Sequence, residues 1–106
     1  MSDKPSAPAP GAPHAVQLQI ELDPVTANGA FINMAMVNHT DTEFTLDLVY
    51  VQPQQPRGTV RARAITTPKH MKRLLLAIQD NVRRYEERFG AIDLGDAPHF
   101  PGGVVN

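Results

Sequence analysis

The side chains able to do chemistry in this chain are few and scattered. Its four histidines are His14, His39, His70 and His99. They stand in a Pro-rich start, a polar turn, the first turn of a helical segment and a tail. No two share metal-ligand spacing, and none sits beside a carboxylate cluster at such spacing. His70 would also be poorly placed as a cation against a helix N-terminus. All four read as surface residues. The serines are Ser2 and Ser6, both near the start, so a serine-centred triad is excluded. Asp41, Glu43 and Asp47 bring three carboxylates to one turn region. Acid–base work would need burial or mutual repulsion to shift their pKa values. Nothing around them suggests burial, so a solvated face is expected. No Gly-rich phosphate loop is present, and Pro101-Gly102-Gly103 is an isolated tail element. Asn38-His39-Thr40 fits the glycosylation pattern, which carries no meaning without secretion. The expectation is a non-enzyme with no cofactor and no metal.

The basic side chains are the second chemical grouping. Arg57, Arg61 and Arg63 fall on a predicted hairpin, and Lys69, Lys72 and Arg73 open the segment after it. Together they are the candidate contacts for a nucleic-acid backbone, with salt-dependent affinity. Asp80, Glu86 and Glu87 interrupt the continuation through Arg83, Arg84 and Arg88. The pI is about 6.4, and no exposed aromatic pair offers a stacking platform. Nucleic-acid association is therefore the alternative reading. The net charge of −1 hides an asymmetry: acids dominate residues 1–56 and bases dominate residues 57–88. Pairing of the two halves in the fold is the favoured explanation.

Which elements position these groups follows from periodicity. Residues 66–90, TTPKHMKRLLLAIQDNVRRYEERFG, read as one amphipathic helix with both ends marked. Thr67 is the N-cap, Pro68 takes the first helical position and Gly90 falls past the last apolar residue, in an expected left-handed cap. Met71, Leu74, Leu75, Ile78, Val82, Tyr85 and Phe89 fall in one stripe roughly 100° wide. Before the helix, Gln17–Leu22 alternates polar and apolar, residues 30–38 are apolar on both sides, and residues 43–51 and 58–65 alternate again. Asp23-Pro24, Asn38–Thr42 and Pro53–Gly58 are the intervening breaks. Short polar loops favour antiparallel neighbours. The predicted fold class is α+β: a four-stranded antiparallel meander over about 17–22, 30–38, 43–51 and 58–65, followed by one long helix over about 68–89 packed on one sheet face. Phe44, Leu46, Leu48 and Tyr50 share a face with Val60, Ala62 and Ala64 in this register, which sets Asp47 near Arg63.

Three stretches carry a resemblance: NMAMVNHTDTEFTLDLVYVQP at residues 33–53, the strand and Thr-Pro cap at 58–68, and KRLLLAIQDNVRRYEERFG at 72–90. Through their EF-x-LD strand and YE-x-x-FG helix end the chain resembles a short, uncharacterised bacterial and archaeal family, a domain of unknown function. The resemblance implies no reaction, cofactor or catalytic residue. At the level of architecture alone, a meander with a C-terminal helix is similar to SecB-type export chaperones; fold does not fix function. The expected role of the motif residues is structural, with Phe44 and Leu46 in the core and Tyr85 and Phe89 anchoring the helix end.

Residues 1–15 hold Pro5, Pro8, Pro10 and Pro13 among Ala, Ser and Gly, and read as a disordered, solubilising arm. Residues 16–92 form the expected single domain, and residues 93–106 an irregular tail. Cysteine is absent, so no disulfide framework or thiolate metal site exists. No apolar run approaches the roughly 20 residues that span a bilayer, and the N-terminus lacks a signal-peptide core. A cytoplasmic location is expected, with no membrane partner.

A single helix covers one side of a sheet. Phe31, Ala35, Val37, Val49, Val51 and Ile65 are assigned to the uncovered side, and Leu76 lies about 140° from the helix stripe. Soluble monomers rarely expose such a patch. The leading expectation is a homo-oligomer, dimer or higher, acting through protein or peptide contacts at those seven residues.

Overall fold

Two tight turns build the centre of the molecule. Thr40 folds its loop by accepting hydrogen bonds at Oγ1 from the Thr42 and Glu43 N–H groups, each at 3.2 Å, while its own N–H donates to the Glu43 carbonyl at 2.9 Å. Beyond it, the Gln52 N–H donates to the Arg57 carbonyl at 3.2 Å and closes the second loop. In the computed structural model, which describes residues 16–95 and 103–105, these loops join three antiparallel strands: β1 (Met34–His39), β2 (Phe44–Val51) and β3 (Gly58–Thr66). A one-turn helix, α1 (Pro24–Ala27), precedes them; a 22-residue helix, α2 (Pro68–Phe89), follows. A two-residue strand, β4 (Val104–Val105), touches the free edge of β1, giving the order β3-β2-β1-β4.

The α+β class and the meander stand, with three full strands in place of four. Gln17–Leu22 is not a strand. Leu18, Ile20 and Leu22 are exposed, and the β1 edge that would receive them carries β4, with the Val37 N–H donating to the Gly103 carbonyl at 2.8 Å. Gly103 lies so close to the Val37 carbonyl that a Cβ would clash with it, and its φ is +77°. Alternation permits a strand, but a free edge must be there to pair with. Asp23-Pro24 is a helix start: the Asp23 carboxylate accepts from the Val25 and Thr26 N–H groups at 3.1 and 3.0 Å. β1 begins later than expected because the Asn33 side chain occupies a rung of the ladder. Its Nδ2 donates to the Val51 carbonyl at 3.0 Å, and its Oδ1 accepts from the Val51 N–H at 2.8 Å.

The long helix matches its expected span, and Thr67 Oγ1 accepts from the His70 N–H at 3.2 Å as an N-cap. Its packing is the main correction. From Leu75 through Phe89, the stripe residues Leu75, Ile78, Val82, Tyr85 and Phe89 are 41–65% exposed, so no sheet face covers them. The cause is the connection: only Thr67, with φ −81° and ψ 158°, separates β3 from α2. Connections between strands and helices that fold back need about two to six residues. The radius of gyration is 19.0 Å, against about 13 Å for a compact chain of this length. Gly90 ends the helix at φ +100° and ψ 165°, outside the left-handed helical region that was expected but still in territory that favours glycine. The arm over residues 1–15 lies outside the described residues, as does most of the tail.

Candidate interaction surface

The sheet register decides which side chains share a face. Ala35 lies opposite Leu48, Val37 opposite Leu46, and Leu46 opposite Ala64. Met34 lies opposite Val49, Met36 opposite Asp47, Thr45 opposite Ile65, and Asp47 opposite Arg63. The seven predicted interface residues therefore do not form one surface. Ala35 and Val37 join Phe44, Leu46, Leu48 and Tyr50 on one face. Val49, Val51 and Ile65 join Met34, Met36 and Asp47 on the other. Phe31 precedes β1, exposed, with its ring edge-on to Tyr50 at 6.2 Å. Leu76 is exposed on α2. Reading residues 30–38 by alternation gave no means of choosing between the two registers, because both parities of that segment are apolar.

A β-bulge at Leu48/Val49 further separates the basic residues. It moves Val60 to the face of Val49, away from its expected neighbours, and leaves Arg61 as the extra residue. The Arg61 guanidinium lies 5.3 Å from the Tyr50 ring centroid. Arg63 is on the opposite face and grips Asp47 with two hydrogen bonds, Nε to Oδ1 at 2.7 Å and Nη2 to Oδ2 at 3.0 Å. Arg57 stands in the second loop, and Lys69, Lys72 and Arg73 are exposed on the first turns of α2. The six candidate nucleic-acid contacts are thus divided among two sheet faces, a loop and a helix.

Asp47 corrects another expectation. It is 2% exposed, not part of a solvated face. Hydrogen bonding to Arg63 holds its carboxyl below the usual carboxylate value, against the upward push of burial. An aspartate so paired is a fixed anion at neutral pH, with no proton to give. Asp41 and Glu43 remain exposed. Among the described residues no group of three or more metal-ligating side chains gathers. His39 stacks near Phe44 with ring centroids 5.3 Å apart, and His70 is exposed in the first turn of α2; His14 and His99 lie outside the described residues. Two open depressions flank the second loop, lined by Tyr50 and Gln52–Gln55 on one side and by Asn33, Met34, Val51 and Pro56 on the other.

Uncovered apolar surface dominates the rest. Val49, 4% exposed, is the one buried hydrophobic side chain among the described residues. Phe44 and Leu46 are only half-buried, and Tyr85 and Phe89 stack on each other in the open at 5.0 Å. Part of the polar side of α2 is paired within the helix: Arg83 bonds Asp80 at 2.8 Å and Glu87 at 2.6 Å, and Arg84 bonds Asp80 at 3.0 Å.

The family model described as "Protein of unknown function (DUF3467)" matches residues 1–94. The chain belongs to this family. The match spans β1, β2, β3, α2 and the residues just beyond it, and stops short of β4. No curated protein matches the chain, and no solved structure matches it. No helix among the described residues is long and apolar enough to cross a membrane.

Proposed function

We propose that this protein is a non-enzymatic, homo-oligomeric protein-interaction module whose first partner is another copy of itself. One observation carries the reading. A chain that is 42% hydrophobic buries a single hydrophobic side chain among its described residues. Apolar burial is the dominant favourable term in folding, at about 25 cal/mol per Å². A chain that leaves it unmade gains it by association.

Two surfaces suit the role. The α2 stripe is apolar and continuous, and Asp80, Arg83, Arg84 and Glu87 pair with one another on the side away from it. The outer edge of β3, at the end of the sheet order, offers nine residues of strand for a peptide to extend. A chaperone- or scaffold-like action would place an extended client on that edge. Nucleic-acid association is the weaker reading, since Arg63 is engaged with Asp47 and Arg61 faces the other way.

Sedimentation equilibrium over a micromolar concentration series tests the proposal. The full chain should exceed its 11.6 kDa monomer mass, and Val82→Asp in the stripe should shift it toward monomer. The assembly should persist at roughly 1 M salt, where the Debye length is about 3 Å. A folded wild type that sediments only as monomer would refute the reading.

A further inference from the structure

The exposed side of α2 carries a finer pattern than amphipathicity. Met71, Leu75, Ile78, Val82, Tyr85 and Phe89 are separated by 4, 3, 4, 3 and 4 residues. That is an unbroken 3.5-residue seam, the a and d positions of three heptads, with Leu75, Val82 and Phe89 at a and Met71, Ile78 and Tyr85 at d. The helix's own ion pairs use Asp80, Arg83, Arg84 and Glu87, all at b, c or f positions facing away from the seam. The e positions are Lys72, Gln79 and Glu86. We infer that α2 pairs with α2 of a second copy as an antiparallel two-stranded coiled coil, centred on Asp80 and in a register that sets Met71 against the partner's Phe89.

Three observations select this arrangement. In an antiparallel pair a meets d, and e meets e. With Asp80 at the centre, every seam residue finds a partner: Met71 with Phe89, Leu75 with Tyr85, and Ile78 with Val82. Each layer then combines a larger and a smaller side chain, and the outermost sets a methionine sulfur on an aromatic ring. The same register brings Lys72 of one copy to Glu86 of the other, twice by symmetry. Glu86 accepts from the Ile92 N–H through Oε2 at 2.9 Å, which leaves Oε1 as a second acceptor. A parallel pair would instead stack Phe89 on Phe89 and leave Lys72 and Glu86, both at e, without each other as partners. Topology agrees. Only Thr67 separates α2 from the sheet, so a parallel pair crowds two sheets at one end. An antiparallel pair sets them at opposite ends of a helix about 33 Å long.

This inference rests on the reading that the chain self-associates, and it adds the surface, orientation and register. The chain has no native cysteine, so single-cysteine variants report cleanly. Full-length Leu75→Cys and Tyr85→Cys chains, mixed and oxidised, should give a mixed 75–85 disulfide, identified by peptide mass. Leu75→Cys alone should not cross-link to itself, because its two copies lie about 15 Å apart along the axis. A 75–75 disulfide, or a dimer with no cross-link at either position, would overturn the register while leaving self-association intact; a chain that is monomeric throughout would overturn both. As a second arm, Lys72→Glu and Glu86→Lys should each weaken the dimer about tenfold, and the double exchange should restore it to within about threefold. Failure of the exchange to restore affinity would contradict the pairing.

Discussion

Asp47 and Arg63 meet because two strands in antiparallel register set them directly opposite, and Arg63 then closes over a carboxylate that the middle strand buries. Because the folded pKa of Asp47 is depressed, the sign of its pH dependence is fixed. Its contribution is fully present above the unfolded value of about 3.9 and is lost as pH falls through the lower folded value. Urea midpoints should therefore drop below about pH 4. Asp47→Asn should be less stable at neutral pH and should lose part of that acid dependence; the Asp23 and Asp80 carboxyls, also depressed, retain the rest. Val49→Ala should cost about 2 kcal/mol in the same measurement, from lost apolar contact and the cavity left behind. The Asp47–Arg63 pair was legible in the alternating patterns of both strands. Its burial was not, because burial depends on what stacks above a face, and nothing in residues 43–51 says what that is.

At the scale of elements, the two ends of α2 are local signals and were read correctly in kind. Thr67→Ala removes the bond to the His70 N–H and should cost about 1 kcal/mol. Gly90→Ala forces a side chain into a φ of +100° and should cost about 1–3 kcal/mol. Circular dichroism melts at fixed protein concentration check both. Periodicity showed that α2 has an apolar face, and its strength explains why the span Pro68–Phe89 was legible to the residue. It did not show what that face meets. The missing clue was the single-residue link at Thr67, visible in the sequence as a strand running straight into a helix cap. The lost strand at Gln17–Leu22 has a similar origin: its alternation is genuine, but the β1 edge is taken by residues some eighty positions away in sequence, which no local pattern encodes.

At the scale of the whole molecule, a small antiparallel sheet and a long uncovered helix make a chain whose apolar surface is mostly unburied. The expectation of self-association came from the sheet side that a single helix leaves uncovered, not from composition, which is ordinary at 42% hydrophobic. The register divides the residues of that expected patch between two faces, and the larger continuous apolar seam lies on the helix. Hydrogen–deuterium exchange across residues 68–89, followed as a function of protein concentration, examines that seam directly. Protection there should rise steeply with concentration, while protection of the central strand β2 changes much less. Helix protection that stays the same from dilute to concentrated protein would mean that no second chain covers it.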